Sequence, residues 1–200
     1  MLHLLSIPSV VIRDIVFLYD APVVDRSHLP DRLVGISLRG GFLSDAETPT
    51  IVALYDMLVT DGYKPIFLVF STEGETAQND ISYIASIMSN RPYNTTKNIK
   101  QTLDLYPWLH MVIGMRLHAG ILACVHEIPY LPISYGPKTD ELVRLLGLSD
   151  IAIPRGGFTP ELCSQRWALY VKNYTIYQET MRTRHREIRA ELQEQLSKWG

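Results

Sequence analysis

Two side chains that could do chemistry stand two positions apart in the segment GMRLHAG, residues 114–120. Arg116 carries a guanidinium that can bind a carboxylate or phosphate with two parallel hydrogen bonds, and His118 can donate or accept a proton near neutral pH. Residues two apart point the same way in extended backbone but about 200° apart in a helix. Arg116 and His118 can therefore share a ligand only where a strand ends and a helix begins. The free N–H groups of such a helix start also favour anions.

Further candidates come from other strand ends, and each has an ordinary structural interpretation when taken alone. A histidine near a helix start often only caps the helix, Lys138 could be a solvated lysine, and Arg39 beside two glycines could mark a turn. Their common placement favours a site, because Arg39, Ser71, Arg116 and Lys138 all lie at or just after the ends of predicted strands. The remaining histidines are expected to be structural: His3, His28, His110, His126 and His185.

Apolar runs of strand length alternate with helical spacing along the chain. The runs predict strands at 33–38, 65–70, 110–115, 129–134 and 150–154. The spacing predicts helices at 46–60, 77–88, 97–106, 117–126 and 139–146 and from residue 159 onward, with a loop at 89–96. Strands that are apolar on both faces and alternate with helices predict an α/β, Rossmann-like domain with a mainly parallel sheet flanked by helices. In such sheets, ligands bind beyond the carboxyl ends of the strands.

The end of the chain predicts a long amphipathic helix. Its apolar stripe at helical spacing comprises Tyr174, Tyr177, Met181, Ile188, Leu192, Leu196 and Trp199. We expect this helix to lie across the domain, and pairing with a partner helix is the alternative. The predicted organisation is a Rossmann-like domain at 31–170 and the C-terminal helix at 171–200, with 1–30 as a preceding segment.

Composition excludes several classes of function. The chain has 200 residues and a net charge of −2, so no basic field indicates a nucleic-acid partner. No apolar run reaches the roughly 18 residues of a membrane span, and two cysteines do not indicate a disulfide framework. A cytoplasmic location is expected. Neither a G-x-G-x-x-G fingerprint nor a metal-ligand spacing is present, so we expect no dinucleotide cofactor and no metal.

Longer segments resemble the polysaccharide pyruvyl transferase family over about residues 30–155. The segments GMRLHAGILA and IPYLPISYGPKTDELVRLLGL carry the resemblance. Upstream, VGISLRG, YKPIFLVF and the helix with Gln78, Asn79 and Asp80 agree with the family in order and spacing. The combination of M-R-L-H with I-S-Y-x-P-K is fairly specific.

The resemblance implies an enzyme. Family members resemble two-domain glycosyltransferases of the GT-B type, and this chain matches their C-terminal half. They transfer the enolpyruvyl group of phosphoenolpyruvate to two hydroxyls of one sugar in cell-wall or exopolysaccharide biosynthesis, leaving a pyruvate ketal and phosphate. By resemblance, Arg39, Arg116 and His118 bind or act on phosphoenolpyruvate, with His118 and Arg116 as the catalytic pair. Ser134 and Lys138 of I-S-Y-x-P-K are expected to contact the same donor, and no cofactor is implied.

Three functional interpretations stay open at this point. The chain is a pyruvyl transferase or its donor-binding half, with 1–30 as the remnant of a segment linking to a missing N-terminal half. The missing first half should then supply much of the acceptor site, the protein partner is that half or a homo-oligomer, and the saccharide acceptor could be lipid-linked. Alternatively, it is the nucleotide-sugar-binding half of a GT-B glycosyltransferase, although M-R-L-H occupies the region where a glycine-rich or acidic stretch would be needed. Third, it is a truncated, non-catalytic remnant that pairs with another chain.

Overall fold

A parallel sheet forms the centre of the computed structural model, which describes residues 13–22, 24, 29, 32–74, 79–89 and 91–198. Within these residues the strands are β1 Leu33–Ser37, β2 Lys64–Phe67, β3 Asn94–Thr95, β4 Met111–Gly114 and β5 Tyr130–Pro132. They are arranged in the order β3-β2-β1-β4-β5, and every neighbouring pair is parallel. This strand order is that of a Rossmann-like sheet, so the predicted α/β fold is confirmed.

Helices connect and cover the strands. They are α1 Thr48–Thr60, α2 Asp80–Met88, α3 Ile99–Leu105, α4 Leu117–Val125, α5 Pro137–Leu145, α6 Pro160–Lys172 and α7 Tyr174–Ser197, with 3-10 turns at Ile15–Leu18 and Tyr106–Trp108. The helix starts follow local sequence signals: Asn79, Asn98 and Thr159 cap α2, α3 and α6 with their side chains. No helix in the described part of the chain is both long and apolar enough to cross a bilayer.

The structure corrects two predicted elements. The expected strand at 150–154 contributes only a single parallel bridge, between Ile133 and Ile153, and then reaches Pro154, which has no N–H to continue a ladder. The expected loop at 89–96 contains β3, which pairs with the end of β2. The region predicted to be helical from residue 159 onward forms two helices, α6 and α7, separated at Asn173, and α7 confirms the expected long C-terminal helix.

The carboxyl ends of β1 and β4 are the point where the chain reverses its direction of travel across the sheet. Both strands are buried, apart from the half-buried Leu33 at the start of β1. Gly114 at the end of β4 allows a very close approach, because a Cβ there would lie 2.9 Å from the Cβ of Ser37. In doubly wound sheets such a reversal point opens a crevice in which ligands bind.

Helix α7 lies across α4 and against the segment 13–22. Its buried stripe includes Tyr177, Met181, Ile188 and Leu192, which confirms the expected packing on the domain, whereas Leu196 of the predicted stripe is exposed. Trp199, the last residue of the predicted stripe, lies outside the described residues. Polar contacts join α7 to the segment 13–22: His185 Nε2 lies 3.2 Å from the carbonyl oxygen of Phe17, and Arg13 Nε lies 3.0 Å from Glu191 Oε2. Whether residues 1–30 are a linker remnant stays a prediction.

Candidate functional site

A cavity of about 600 Å³ opens at the carboxyl ends of β1 and β4. Its wall includes four of the six residues that the sequence assigned to a site, namely Arg39, Arg116, His118 and Lys138, whereas Ser71 and Ser134 are not among its lining residues. The other lining residues are Val16, Tyr19, Phe70, Ile99, Leu103, Leu117, Leu122, His126 and Tyr135. Residues from both sides of the sheet reversal therefore meet around one space.

Arg116 stands at the junction of β4 and α4. Its backbone is extended (φ −65°, ψ 131°) and it is the N-cap of α4, so the strand-to-helix junction lies where the spacing of Arg116 and His118 requires it. Its guanidinium donates from Nη2 to Asp80 Oδ1 and from Nε to the carbonyl oxygen of Leu38, at 3.3 Å. The Arg116 side chain is 18% exposed. Its remaining N–H groups are the ones available to a ligand in the cavity.

Asp80 holds the guanidinium of Arg116 in place. Its side chain is 2% exposed, and its second oxygen, Oδ2, accepts hydrogen bonds from the backbone N–H groups of Phe70 (2.8 Å) and Ser71 (3.0 Å). The carboxylate thus ties the turn after β2 to Arg116. In the sequence Asp80 appeared only as part of the family resemblance, without a role. Its neighbour Gln78 lies outside the described residues.

Arg39 follows β1 and is fixed by aromatic side chains. Its Nη1 donates to the hydroxyl of Tyr135 at 2.7 Å. Its guanidinium carbon lies 4.6 Å from the centre of the Phe42 ring and 5.2 Å from that of Tyr135. Cation–π contacts and the hydrogen bond together restrict the guanidinium to one orientation. Neither aromatic partner was singled out from the sequence, and no local spacing connects Arg39 to Tyr135, which is 96 positions away.

His118 lies in the first turn of α4 and approaches an acidic residue from the start of the chain. Its Nε2 lies 3.3 Å from Asp14 Oδ2, and its side chain is 55% exposed. The N–H groups of Leu117 and His118 are the first two of α4, and a helix offers no internal acceptor to such groups. The helix start therefore adds donors for an anion next to Arg116.

Lys138 and Ser134 have different surroundings although they share one sequence motif. Lys138 is exposed in the first turn of α5 and lines the cavity, and its ammonium forms no ion pair with any residue that the structure describes. Ser134 is buried; its hydroxyl donates to Asp140 and lies 3.0 Å from the Thr139 hydroxyl. Ser134 lines a separate cavity of about 290 Å³, so its assignment to donor binding stays a prediction.

The remaining wall of the cavity is mainly apolar. Tyr19, Ile99 and Leu103 are among the more exposed apolar side chains of the described chain, at 52%, 44% and 43%. His126 was expected to have only a structural role, but it also lines the cavity. Its ring centre lies 5.5 Å from that of Tyr106. Arg39, Arg116, His118 and Lys138 thus lie on the side formed by the strand ends and the starts of α4 and α5, and His126 adds a second imidazole at the end of α4.

Neither cysteine is available as a thiolate nucleophile near neutral pH. Burial raises the pKa of Cys124 far above its usual range and raises the pKa of Cys163 to about 12. Both thiols are free and buried. Across the described ranges, no cluster of three or more His, Cys, Asp or Glu side chains could hold a metal ion. Nucleophilic thiol chemistry therefore does not compete with the arginine–histidine arrangement.

Comparison with known families agrees with this arrangement. The family model described as polysaccharide pyruvyl transferase matches residues 1–137, more than half of the chain. The chain belongs to the polysaccharide pyruvyl transferase family. This finding confirms the resemblance and supports the general function of a transferase. The match includes Arg39, Arg116 and His118 and ends one residue before Lys138. No curated protein matches the chain significantly.

For a member of the pyruvyl transferase family, the geometry has a simple electrostatic consequence. Two guanidiniums and one ammonium line the same cavity, and one buried carboxylate, Asp80, offsets part of their charge. The helix start of α4 adds partial positive charge. The cavity is therefore suited to a small molecule with more than one negative charge, placed beside an imidazole that can move a proton.

Proposed function

We propose that this cavity binds phosphoenolpyruvate and that the protein transfers its enolpyruvyl group to a saccharide, forming a pyruvate ketal. The observation that carries the proposal is the meeting of Arg39, Arg116, His118 and Lys138 on one cavity wall. Phosphoenolpyruvate has a phosphate and a carboxylate on the same carbon, so it can use two guanidiniums and an ammonium at once. The family match supports the transferase class of this reaction.

In this proposal the two arginines are the main donor ligands. Arg116 uses two of its five N–H groups for Asp80 and Leu38, which orients the others toward the cavity. Arg39 is oriented in the same way by Tyr135 and Phe42. Because both guanidiniums are fixed before the ligand arrives, little side-chain entropy is lost on binding. Lys138 on the exposed rim adds charge without a fixed direction.

A single histidine can carry out part of the proton transfers that the reaction requires. Two hydroxyls of the sugar each lose a proton and form bonds to the carbon that bears the phosphate. One proton is added to the methylene carbon, which becomes a methyl group, and the other leaves with the phosphate as the carbon–oxygen bond to phosphate breaks. His118 can give a proton to the methylene carbon or take one from a hydroxyl, and it is the imidazole of the first turn of α4 beside Arg116.

The reaction can be tested by its two products. The purified chain is incubated with phosphoenolpyruvate and a panel of saccharides, and both free phosphate and a saccharide mass increased by pyruvate less one water are measured. The proposal expects equal amounts of the two products, and expects Arg116→Lys to lower both. Arg91, an exposed arginine bonded to Asp56 between α1 and α2, provides the control variant Arg91→Lys. Consumption of a nucleotide sugar in place of phosphoenolpyruvate would favour the glycosyltransferase alternative and contradict the proposal.

A further inference from the structure

We propose that Asp14 is a positioning residue that sets the tautomer and orientation of His118, an inference that rests on the proposed function for its catalytic meaning. Asp14 lies just before the 3-10 turn at Ile15–Leu18, far from His118 in the sequence. Its two carboxylate oxygens have separate tasks. Oδ1 accepts from the backbone N–H of Val16 at 3.0 Å, and Oδ2 lies 3.3 Å from Nε2 of His118.

The segment that carries Asp14 is attached to the domain at several points. Phe17 is buried, and its carbonyl oxygen lies 3.2 Å from His185 Nε2. Arg13 pairs with Glu191, and Asp20 pairs with Arg189 of α7. The same segment supplies Val16 and Tyr19 to the wall of the 600 Å³ cavity. Asp14 is therefore held against the start of α4 by contacts on both sides of it.

The placement of Asp14 has a chemical consequence for the imidazole. A carboxylate oxygen accepts and does not donate, so its closeness to Nε2 favours the tautomer with the hydrogen on Nε2. The lone pair of the neutral ring then lies on Nδ1. We infer that Nδ1 is the nitrogen that exchanges a proton with the substrate. Asp14 then stabilises the imidazolium that forms whenever Nδ1 holds a proton and Nε2 keeps its own. This is the part that an acidic partner plays beside many catalytic histidines.

The substitution Asp14→Asn separates the two tasks of the carboxylate. An asparagine oxygen can replace Oδ1 and keep the hydrogen bond from Val16, so the 3-10 turn keeps its cap. The amide nitrogen then faces His118 and donates, which favours an unprotonated Nε2 and moves the hydrogen to Nδ1. Asp20→Asn is the matched control, because Asp20 lies in the same segment, pairs with α7 and is 88% exposed.

Nuclear magnetic resonance tests the inference without any substrate. Two-bond hydrogen–nitrogen correlations distinguish the two neutral tautomers of a histidine ring, and His118→Gln assigns the signal. We expect the Nε2–H tautomer in the wild type and in Asp20→Asn, and a shift toward the Nδ1–H tautomer in Asp14→Asn. An Nδ1–H signal in the wild type, or identical signals in the wild type and Asp14→Asn, would overturn the inference even if the protein is fully active.

Kinetics then separate the role of Asp14 from the proposed function. With phosphoenolpyruvate and an accepted saccharide, Asp14→Asn is expected to lower kcat by about tenfold, a fraction of the usual gain from a positioned acid or base, while the KM for phosphoenolpyruvate changes little. Asp14→Glu is expected to restore part of kcat. Wild-type kcat in Asp14→Asn would contradict the inference. Absence of turnover in the wild type would instead contradict the proposed function, and the tautomer experiment would still decide the position of Asp14.

Discussion

Replacing Arg116 by lysine tests the binding role of the guanidinium while keeping its positive charge. In the structure the guanidinium bonds to Asp80 and Leu38 and still presents N–H groups to the cavity. A lysine ammonium is a compact charge on a flexible stem, so one that stays on Asp80 cannot also bind the donor in two-pronged fashion. Losing one hydrogen bond to a charged group costs roughly 1.5–3 kcal/mol. The affinity for phosphoenolpyruvate should therefore fall by about tenfold or more, since about 1.4 kcal/mol corresponds to a factor of ten.

Equilibrium dialysis against labelled phosphoenolpyruvate at low ionic strength measures this loss. Arg91→Lys is the matched control, because Arg91 also bonds to an aspartate, Asp56, but on the surface between α1 and α2. Thermal unfolding of each variant checks the fold. Lysine is preferred to alanine here, because Arg116→Ala leaves Asp80 buried without its charged partner, which costs roughly 3–5 kcal/mol of stability. Equal affinity of the wild type and Arg116→Lys, with both folded, would refute the assignment of Arg116 to the anion.

Three further predictions concern Arg39, His118 and the buried His185. Arg39→Ala should weaken phosphoenolpyruvate binding by about tenfold or more, as for Arg116, because a fixed guanidinium is lost, whereas unchanged binding in dialysis would remove Arg39 from the site. His118→Gln should leave binding almost unchanged and lower turnover by roughly 10²–10⁴-fold in the phosphate-release assay; a large loss of affinity would make His118 a ligand and not a proton carrier. Burial lowers the pKa of His185, so the folded protein keeps this ring neutral while the unfolded chain takes up a proton below about pH 6.5. Stability should thus fall as the pH drops below that value, and His185→Phe should remove up to about 1.4 kcal/mol per pH unit of that slope in chemical unfolding.

The fold could be predicted where the physics of burial leaves a mark on neighbouring residues. Strands buried on both faces are continuous apolar runs, and β1 and β4 were recognisable for that reason. β3 was not recognisable, because it consists of only two polar residues, Asn94 and Thr95. Only their pairing with the end of β2 makes them a strand. The run at 150–154 looked like a strand, but Pro154 ends its pairing after one bridge.

The candidate site could be predicted only as far as local sequence determines it. Arg116 and His118 were found because a strand–helix junction and a two-residue spacing are both local features. Their partners Asp80 and Asp14 were not found, because these contacts join residues 36 and about 100 positions apart. For Ser134 the local sequence predicted more than the structure shows. Its motif suggested a ligand contact, whereas its buried hydroxyl is hydrogen-bonded to residues at the start of α5.

The proposed function depends on the binding of phosphoenolpyruvate in the cavity at the ends of β1 and β4. Calorimetric titration of the wild-type chain with phosphoenolpyruvate, and separately with a nucleotide sugar, measures this binding. We predict saturable binding of phosphoenolpyruvate that weakens with added salt, since the ligand is an anion bound by partly exposed cations, and no binding of the nucleotide sugar. Saturable binding of the nucleotide sugar together with no heat from phosphoenolpyruvate would show that the cavity is not a phosphoenolpyruvate site.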